Sequence, residues 1–175
     1  MFSNPDKNLA QLGLREGMRV ADFGAGTGFY VKSASARVGH TGKVYALDVQ
    51  KDLLKTLEAD IAIAGVNNVE CIWADVEKKG GSKLSDGSID AVILSNILFQ
   101  AEDKLGLIDE TKRVLKKDGK VLLIDWKDSF GGLGPVPDYV VSQTRALELF
   151  FKRGFVLSEF ISISEHSYGI ILVHE

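Results

Sequence analysis

Three glycines fall within five positions at the end of an apolar run. In "VADFGAGTGFY", residues 20–30, Gly24, Gly26 and Gly28 follow a strand-like segment. Without a Cβ, such a turn admits positive φ and lets backbone amides touch a ligand. Asp48 closes the next apolar run, "KVYALDV", twenty residues beyond Gly28, where a carboxylate accepts hydrogen bonds from ribose hydroxyls. Asp75 follows "VECIWA" and is placed to accept from an adenine amino group, and Asn96 closes "IDAVILSN". A glycine turn, a ribose acceptor and a base acceptor in that order describe a nucleoside-containing ligand. The dinucleotide fingerprint G-x-G-x-x-G requires a last glycine that packs helix on strand. Here that position is Phe29 and the pattern is G-x-G-x-G, which turns the reading away from NAD.

These residues need elements that carry them to one edge. Asn4-Pro5 is a cap residue followed by proline at a first helical position, which predicts a short helix to about residue 12. Strands are expected at 17–23, 43–49, 69–74, 89–96 and 119–126, with helices at 27–38, 52–64 and 102–116 between them. In the last of these, Leu105, Ile108 and Leu115 are expected to share an apolar face, and "KRVLKKDGK" to form a solvated helix end with cations at its negative pole. A glycine- and proline-rich loop, "KDSFGGLGPVP", leads to a helix at about 139–153. "FVLSEFISI" and "SYGIILVHE" close the chain as two strands joined too tightly for a crossover, so they must be antiparallel. Alternating strands and helices imply a parallel sheet covered on both faces. In such sheets ligands bind beyond the carboxyl ends of the strands, where the glycine turn and the polar strand ends converge.

The 175 residues suffice for one domain, expected over 1–175 with residues 1–13 as a short N-terminal cap helix. An apolar share of 45%, a charged share of 26% and a net charge of −3 describe an ordinary soluble protein without a general pull toward nucleic acid or anionic membrane. Cys71 is the single cysteine and excludes an internal disulfide, a cysteine-rich zinc site and an iron–sulfur cluster. In "VECIWAD" it reads as a structural thiol. No basic segment followed by an apolar one opens the chain, and no apolar stretch reaches membrane-spanning length, so a cytoplasmic protein is expected.

The ordered series resembles the class I S-adenosylmethionine-dependent methyltransferases. "VADFGAGTGFY", "VYALDV", "WADV", "DAVILSNILF" and "LKKDGKVLLIDW" are similar to successive blocks of that family, and the terminal hairpin to its reversed last strand. The resemblance implies a Rossmann-like α/β fold, a seven-stranded mostly parallel sheet with the last strand reversed and helices on both faces. "GLGPVP" and "EHSYGIILVHE" look like the branch that includes quinone-biosynthesis and other small-molecule methyltransferases. Gly134-Pro135-Val136 and His166-Ser167-Tyr168-Gly169 depart from the G-P-P and H-Y-G of many relatives. Arsenite methyltransferases need several cysteines, and the N-P-P-Y-type signature of many base amino-methyltransferases is replaced by "SNIL".

The resemblance implies S-adenosylmethionine as cofactor, S-adenosylhomocysteine as product and no metal. Asp22 would brace the glycine loop, and Gly24, Ala25, Gly26 and Gly28, with Tyr30, would flank the methionine part. Asp48 would hold the ribose, Val49 and Gln50 would lie beside the adenine, Asp75 and Val76 would cover its edge, and Asn96 would sit near the donor's amino-acid part. Tyr30, Phe99, Asp125, Trp126, His166 and Tyr168 are candidates to face the acceptor. Asp125, Tyr30 and His166 are those proposed for catalysis. Asp125 is read either as a base orienting a hydroxyl or amine or as a strand cap binding loop amides, and His166 as an exposed turn residue or a base. A small-molecule acceptor is the leading expectation. A minimal RNA or protein methyltransferase, which clustering of Lys32, Arg37 and Lys127 would favour, and a non-catalytic cofactor-binding subunit are the alternatives. A homo-oligomer completing the pocket is also open.

Overall fold

A computed structural model describes residues 4–175; the first three positions of the expected cap helix lie outside them. Helix α1 (Pro5–Leu12) starts as its sequence dictates. The Asn4 side chain accepts from the Lys7 amide at 3.0 Å, Pro5 opens the helix, and Gly13 ends it at φ 79°. There follow β1 (Arg19–Phe23), α2 (Val31–Val38), β2 (Lys43–Asp48), α3 (Lys51–Ile63), β3 (Val69–Trp73), β4 (Ile89–Ser95), α4 (Lys104–Val114), β5 (Leu115–Trp126), a single 3₁₀ turn (Pro137–Tyr139), α5 (Gln143–Phe151), β6 (Phe155–Ser162) and β7 (Ser167–His174).

The strands form one sheet in the order β3-β2-β1-β4-β5-β7-β6. β1 pairs in parallel with both β2 and β4, so the strand order reverses beside it. β7 inserts between β5 and β6 and runs antiparallel to both, which makes it the one reversed strand. Alternation divides the core between the two faces. Phe23, Leu94 and Leu123 meet Ile108 of α4 and Phe150 of α5 on one side. Val20, Ala46 and Ile93 meet Leu9, Val31 and Leu57 of the first three helices on the other. No helix of the described residues is long and apolar enough to cross a membrane.

Several local expectations are corrected. Helix α2 begins at Val31 rather than at 27, so Thr27 to Tyr30 stay in the turn and Phe29 stands 55% exposed. Helix α4 ends at Val114 and β5 begins at once, so Lys116 and Lys117 lie on the strand rather than on a helix end. The buried stripe of α4 is Leu107, Ile108, Thr111 and Val114, while Leu105 faces outward. Both stripes have helical spacing; the choice falls to Gly106, whose bare Cα lies against the Glu77 carbonyl where a Cβ would come within 2.2 Å. The last helix is shorter than expected, because the chain turns through Pro137–Tyr139 before Ser142 caps α5.

Candidate active site

The carboxyl ends of β1, β2, β3 and β4 border a cleft of about 300 Å³ lined by Gly24, Gly26, Asp48, Val49, Gln50, Asp75, Val76 and Asn96, among others. A second cavity of about 200 Å³ shares Gly24, Gly26, Ser95 and Asn96 with it and adds Asp22, Ala25, Thr27, Phe29 and Tyr30. The two form one elongated site of the size small ligands occupy, about 300–1,000 Å³.

The glycine turn is built for close approach. Gly24, Gly26 and Gly28 all have positive φ, of 75°, 54° and 79°. A Cβ on Gly24 would lie 2.7 Å from Ile97 Cδ1, and one on Gly28 would lie 2.4 Å from Leu57 Cδ1, whereas Gly26 meets nothing within 4 Å and faces the site. Gly28 thus seats the turn on α3 while Gly26 keeps its ligand side clear. The turn is fastened by β2: the Gly24 and Ala25 amides donate to the Leu47 carbonyl at 2.8 and 2.9 Å, and the Gly26 amide donates to Asp48 Oδ2 at 2.8 Å.

That last bond corrects the expectation for Asp22. Asp48, not Asp22, braces the loop, and it also accepts from the Gln50 amide at 2.8 Å through Oδ1. Each carboxylate oxygen retains a free lone pair, enough for two ribose hydroxyls. Asp22 is buried, has no hydrogen-bond donor among the described residues, and borders the second cavity. Burial, with the charge of Asp48 adding to it, pushes its carboxyl up to about 7. A buried acid without a donor, opening onto a cavity, is suited to receive a cationic group.

At the base end, Asp75 accepts from the Glu77 amide at 3.1 Å and pairs with Lys78 at 2.8 Å. The Lys78 bond holds its carboxyl below the usual range. Gly81 packs so tightly under this turn that a Cβ would come within 1.9 Å of the Asp75 carbonyl. The loop is tied to α4 by buried Glu110, which accepts from the Gly80 and Ser82 amides and pairs with Arg113. Those bonds outweigh burial and lower Glu110 to about 2. Asn96 adopts φ 55°, a left-handed conformation that asparagine tolerates, and its carbonyl accepts from Gln100 Nε2 at 2.6 Å.

Sequence reasoning missed Glu77, Ile97, Gln100 and Ala101, which line the cleft just beyond the ends of β3 and β4. It also missed Trp73, whose Nε1 donates to the Val49 carbonyl at 3.0 Å and whose ring carries Lys51 Nζ 3.8 Å from its centroid. This indole fixes the segment that borders the base end. A large aromatic at the end of an edge strand, beside the ribose acid, was the available signal.

The acceptor-side expectations fare differently. Asp125 is fully buried, and its oxygens accept from the Phe99 amide at 3.1 Å and its neighbour Trp126's amide at 2.8 Å. Burial raises its carboxyl to about 6. It binds loop amides, the second of its two readings, and lines neither cavity. Tyr168 lines neither cavity of the cleft: it is buried with its hydroxyl donating to the Val141 carbonyl at 2.9 Å, and burial raises its pKa. His166 also lies outside the two cavities, on the β6–β7 turn against Phe130 with ring centroids 4.4 Å apart. Tyr30 does border the second cavity, with its hydroxyl accepting from Asn8 Nδ2 at 2.9 Å. Lys32, Arg37 and Lys127 do not converge on the site: they engage Asp60, the Asp6 carbonyl and the Ser164 carbonyl. Among the described residues no group of three His, Cys, Asp or Glu side chains is placed to hold a metal.

Comparison with known proteins decides the family. A profile described as a methyltransferase domain matches residues 14–149. The chain belongs to the S-adenosylmethionine-dependent methyltransferases. This methyltransferase is 34% identical over 115 residues to the ubiquinone/menaquinone biosynthesis C-methyltransferase UbiE of Pseudomonas fluorescens (strain Pf0-1), covering 65% of this chain and 44% of that one. It is 32% identical to UbiE of Escherichia coli O1:K1 / APEC, with 65% and 45% covered. The chain thus spans less than half the length of these curated relatives. A crystallised SAM-dependent methyltransferase from Aquifex aeolicus superimposes with a TM-score of 0.91 at 29% identity, covering 99% of this chain and 91% of that one. An arsenic(III) methyltransferase from Chlamydomonas reinhardtii shares the fold with a TM-score of 0.76 at 23% identity, covering 92% of this chain and 64% of that one.

Proposed function

We propose that this methyltransferase carries a methyl group from S-adenosylmethionine to a small, apolar acceptor, at carbon. The cofactor reading draws on the fit of the site to its parts. The clear face of Gly26, the spare lone pairs of Asp48 and the donor-free carboxyl of Asp22 match a backbone-hugging chain, a ribose and a cationic amino-acid end. When bound, S-adenosylmethionine supplies a methyl group already activated by its sulfonium charge. The residues then have to hold donor and acceptor in line and exclude water, so positioning supplies most of the acceleration. Asp48 and the glycine turn hold the nucleoside, Asp22 receives the positive end, and Tyr30 offers an aromatic wall beside dispersing charge. Asp125 serves as a positioning residue, fastening residues 98–99 behind the cleft.

The observation that carries the acceptor class is the loop after β5. Gly131 and Gly132, both at positive φ, form a tight turn in which Phe130 and Leu133 exchange backbone hydrogen bonds. Gly134 lies flat on the Trp126 ring, where a Cβ would come within 2.6 Å of Cε3. The loop is thereby folded onto the end of β5 and presents Leu133, Val136 and Tyr139 to solvent. An apolar molecule suits this surface, and the names of the UbiE relatives add carbon as the methylated atom. The test is a transfer assay with methyl-labelled donor and three acceptors: a short-chain quinol, an RNA pool and a protein extract. Label on a quinol carbon, with one S-adenosylhomocysteine formed per methyl, is expected. Label confined to RNA or protein would overturn the acceptor class, and donor binding without transfer to any of them would make the chain a non-catalytic subunit.

A further inference from the structure

A second concave site lies at the opposite, amino end of the sheet, and nothing in the methyl-transfer chemistry uses it. The segment from α1 to β1 and the turn that enters β5 enclose a cavity of about 210 Å³. Arg15, Lys116, Lys117 and Lys120 line it, against Asp90 and Asp118. The Asp90 charge is already met: its two oxygens take Lys116 Nζ at 2.6 Å and the Arg19 amide at 2.8 Å. Arg15, Lys117 and Lys120 make no ion pair among the described residues, so three cations face one unpaired carboxylate. The ammonium of Lys120 is the clearest case. It is half-buried over Gly13, and among the described residues its one hydrogen bond is to the Leu12 carbonyl at 3.4 Å, too long to be strong. An ammonium carries three donors, so most of its hydrogen-bonding capacity remains unused inside a cavity. On a chain of net charge −3 this is a local positive concavity.

We propose that this cavity binds a phosphate group, held by Lys120 from the floor and by Arg15 and Lys117 from the rim. Tetrahedral oxyanions match converging guanidinium and ammonium donors, and the small volume of this open concavity suits a single phosphate rather than a nucleic-acid backbone. The site is independent of the methyl-transfer reading.

The probes are inorganic phosphate and glycerol 3-phosphate, titrated by calorimetry at constant ionic strength against the full chain and against Lys120→Ala and Lys117→Ala. Saturable binding is expected, weakened roughly tenfold by each substitution, as for loss of one charged hydrogen bond. Affinity for S-adenosylhomocysteine should be unchanged in both variants, which shows that they are folded. Equal affinity for the two probes makes the ligand the free ion, and tighter binding of the ester makes it a phosphorylated metabolite. Absence of saturable binding to the wild-type chain, or equal binding by both variants, overturns the proposal.

Discussion

Asp22→Asn tests the electrostatics of the site in isolation. The carboxyl is buried, without a hydrogen-bond donor among the described residues, and burial with the Asp48 charge raises it from 3.8 to about 7. At 1.36 kcal/mol per pKa unit, keeping it ionised in the folded protein costs roughly 4 kcal/mol. The sign follows from linkage. The folded state holds this proton more tightly than the unfolded state, so the favourable contribution is complete below about pH 4 and is lost as pH rises through 7. Asparagine has the same shape and no charge. The apoprotein carrying Asp22→Asn should therefore be more stable than wild type at pH 8, by up to about 4 kcal/mol, with the difference closing toward pH 4. Urea midpoints across that range measure it. The same variant should bind S-adenosylhomocysteine at least tenfold more weakly at pH 8, because the ammonium of the ligand loses its carboxylate. Wild-type affinity should itself decline below pH 7, while that of the variant stays flat. A variant less stable than wild type at pH 8, or one with unchanged affinity and an unchanged pH profile, would remove the electrostatic role of Asp22.

Gly28→Ala forces a Cβ into Leu57 at φ 79° and is expected to cost about 1–3 kcal/mol, read as a lower melting temperature, with weaker cofactor binding. Asp125→Ala leaves the amides of Phe99 and Trp126 without their acceptor. It should lose about 2–4 kcal/mol in chemical denaturation, and cofactor affinity should fall together with turnover; a loss of kcat alone would return Asp125 to the role of base. Trp73→Ala removes the bond to the Val49 carbonyl. Calorimetry should show severalfold weaker S-adenosylhomocysteine binding, with stability changed by less than about 1.5 kcal/mol.

What the sequence disclosed and what it concealed divide along physical lines. Gly24, Gly26, Gly28, Asp48, Asp75 and Asn96 were legible because polar or glycine residues at the ends of apolar runs mark strand termini, and parallel strands bring those termini to one edge. The bracing role passed from Asp22 to Asp48 because hydrogen bonds to a turn depend on which strand lies beside it, a property of the sheet rather than of the spacing. The two readings of Asp125 could not be separated, and the burial of Tyr168 could not be foreseen, for a related reason. Strand alternation says that a residue faces one side or the other, and packing decides whether that side is a cavity or a core. The Lys116-Lys117 pair went to a strand because β5 is extended backward by Leu115 pairing with Ile89 across an irregular register, which no local pattern reveals. Trp73 escaped attention because its partner, the Val49 carbonyl, is a backbone atom on a neighbouring strand's exit loop.

Everything proposed for the cleft rests on Asp48 and the glycine turn holding S-adenosylmethionine. Isothermal titration of the full chain and of Asp48→Ala with S-adenosylmethionine, S-adenosylhomocysteine and NAD measures this without needing an acceptor. One-to-one binding of the first two to the wild-type chain, at least a hundredfold weaker in the variant, is predicted, with no measurable NAD binding. Tight NAD binding, or undiminished S-adenosylhomocysteine binding by Asp48→Ala, would contradict it.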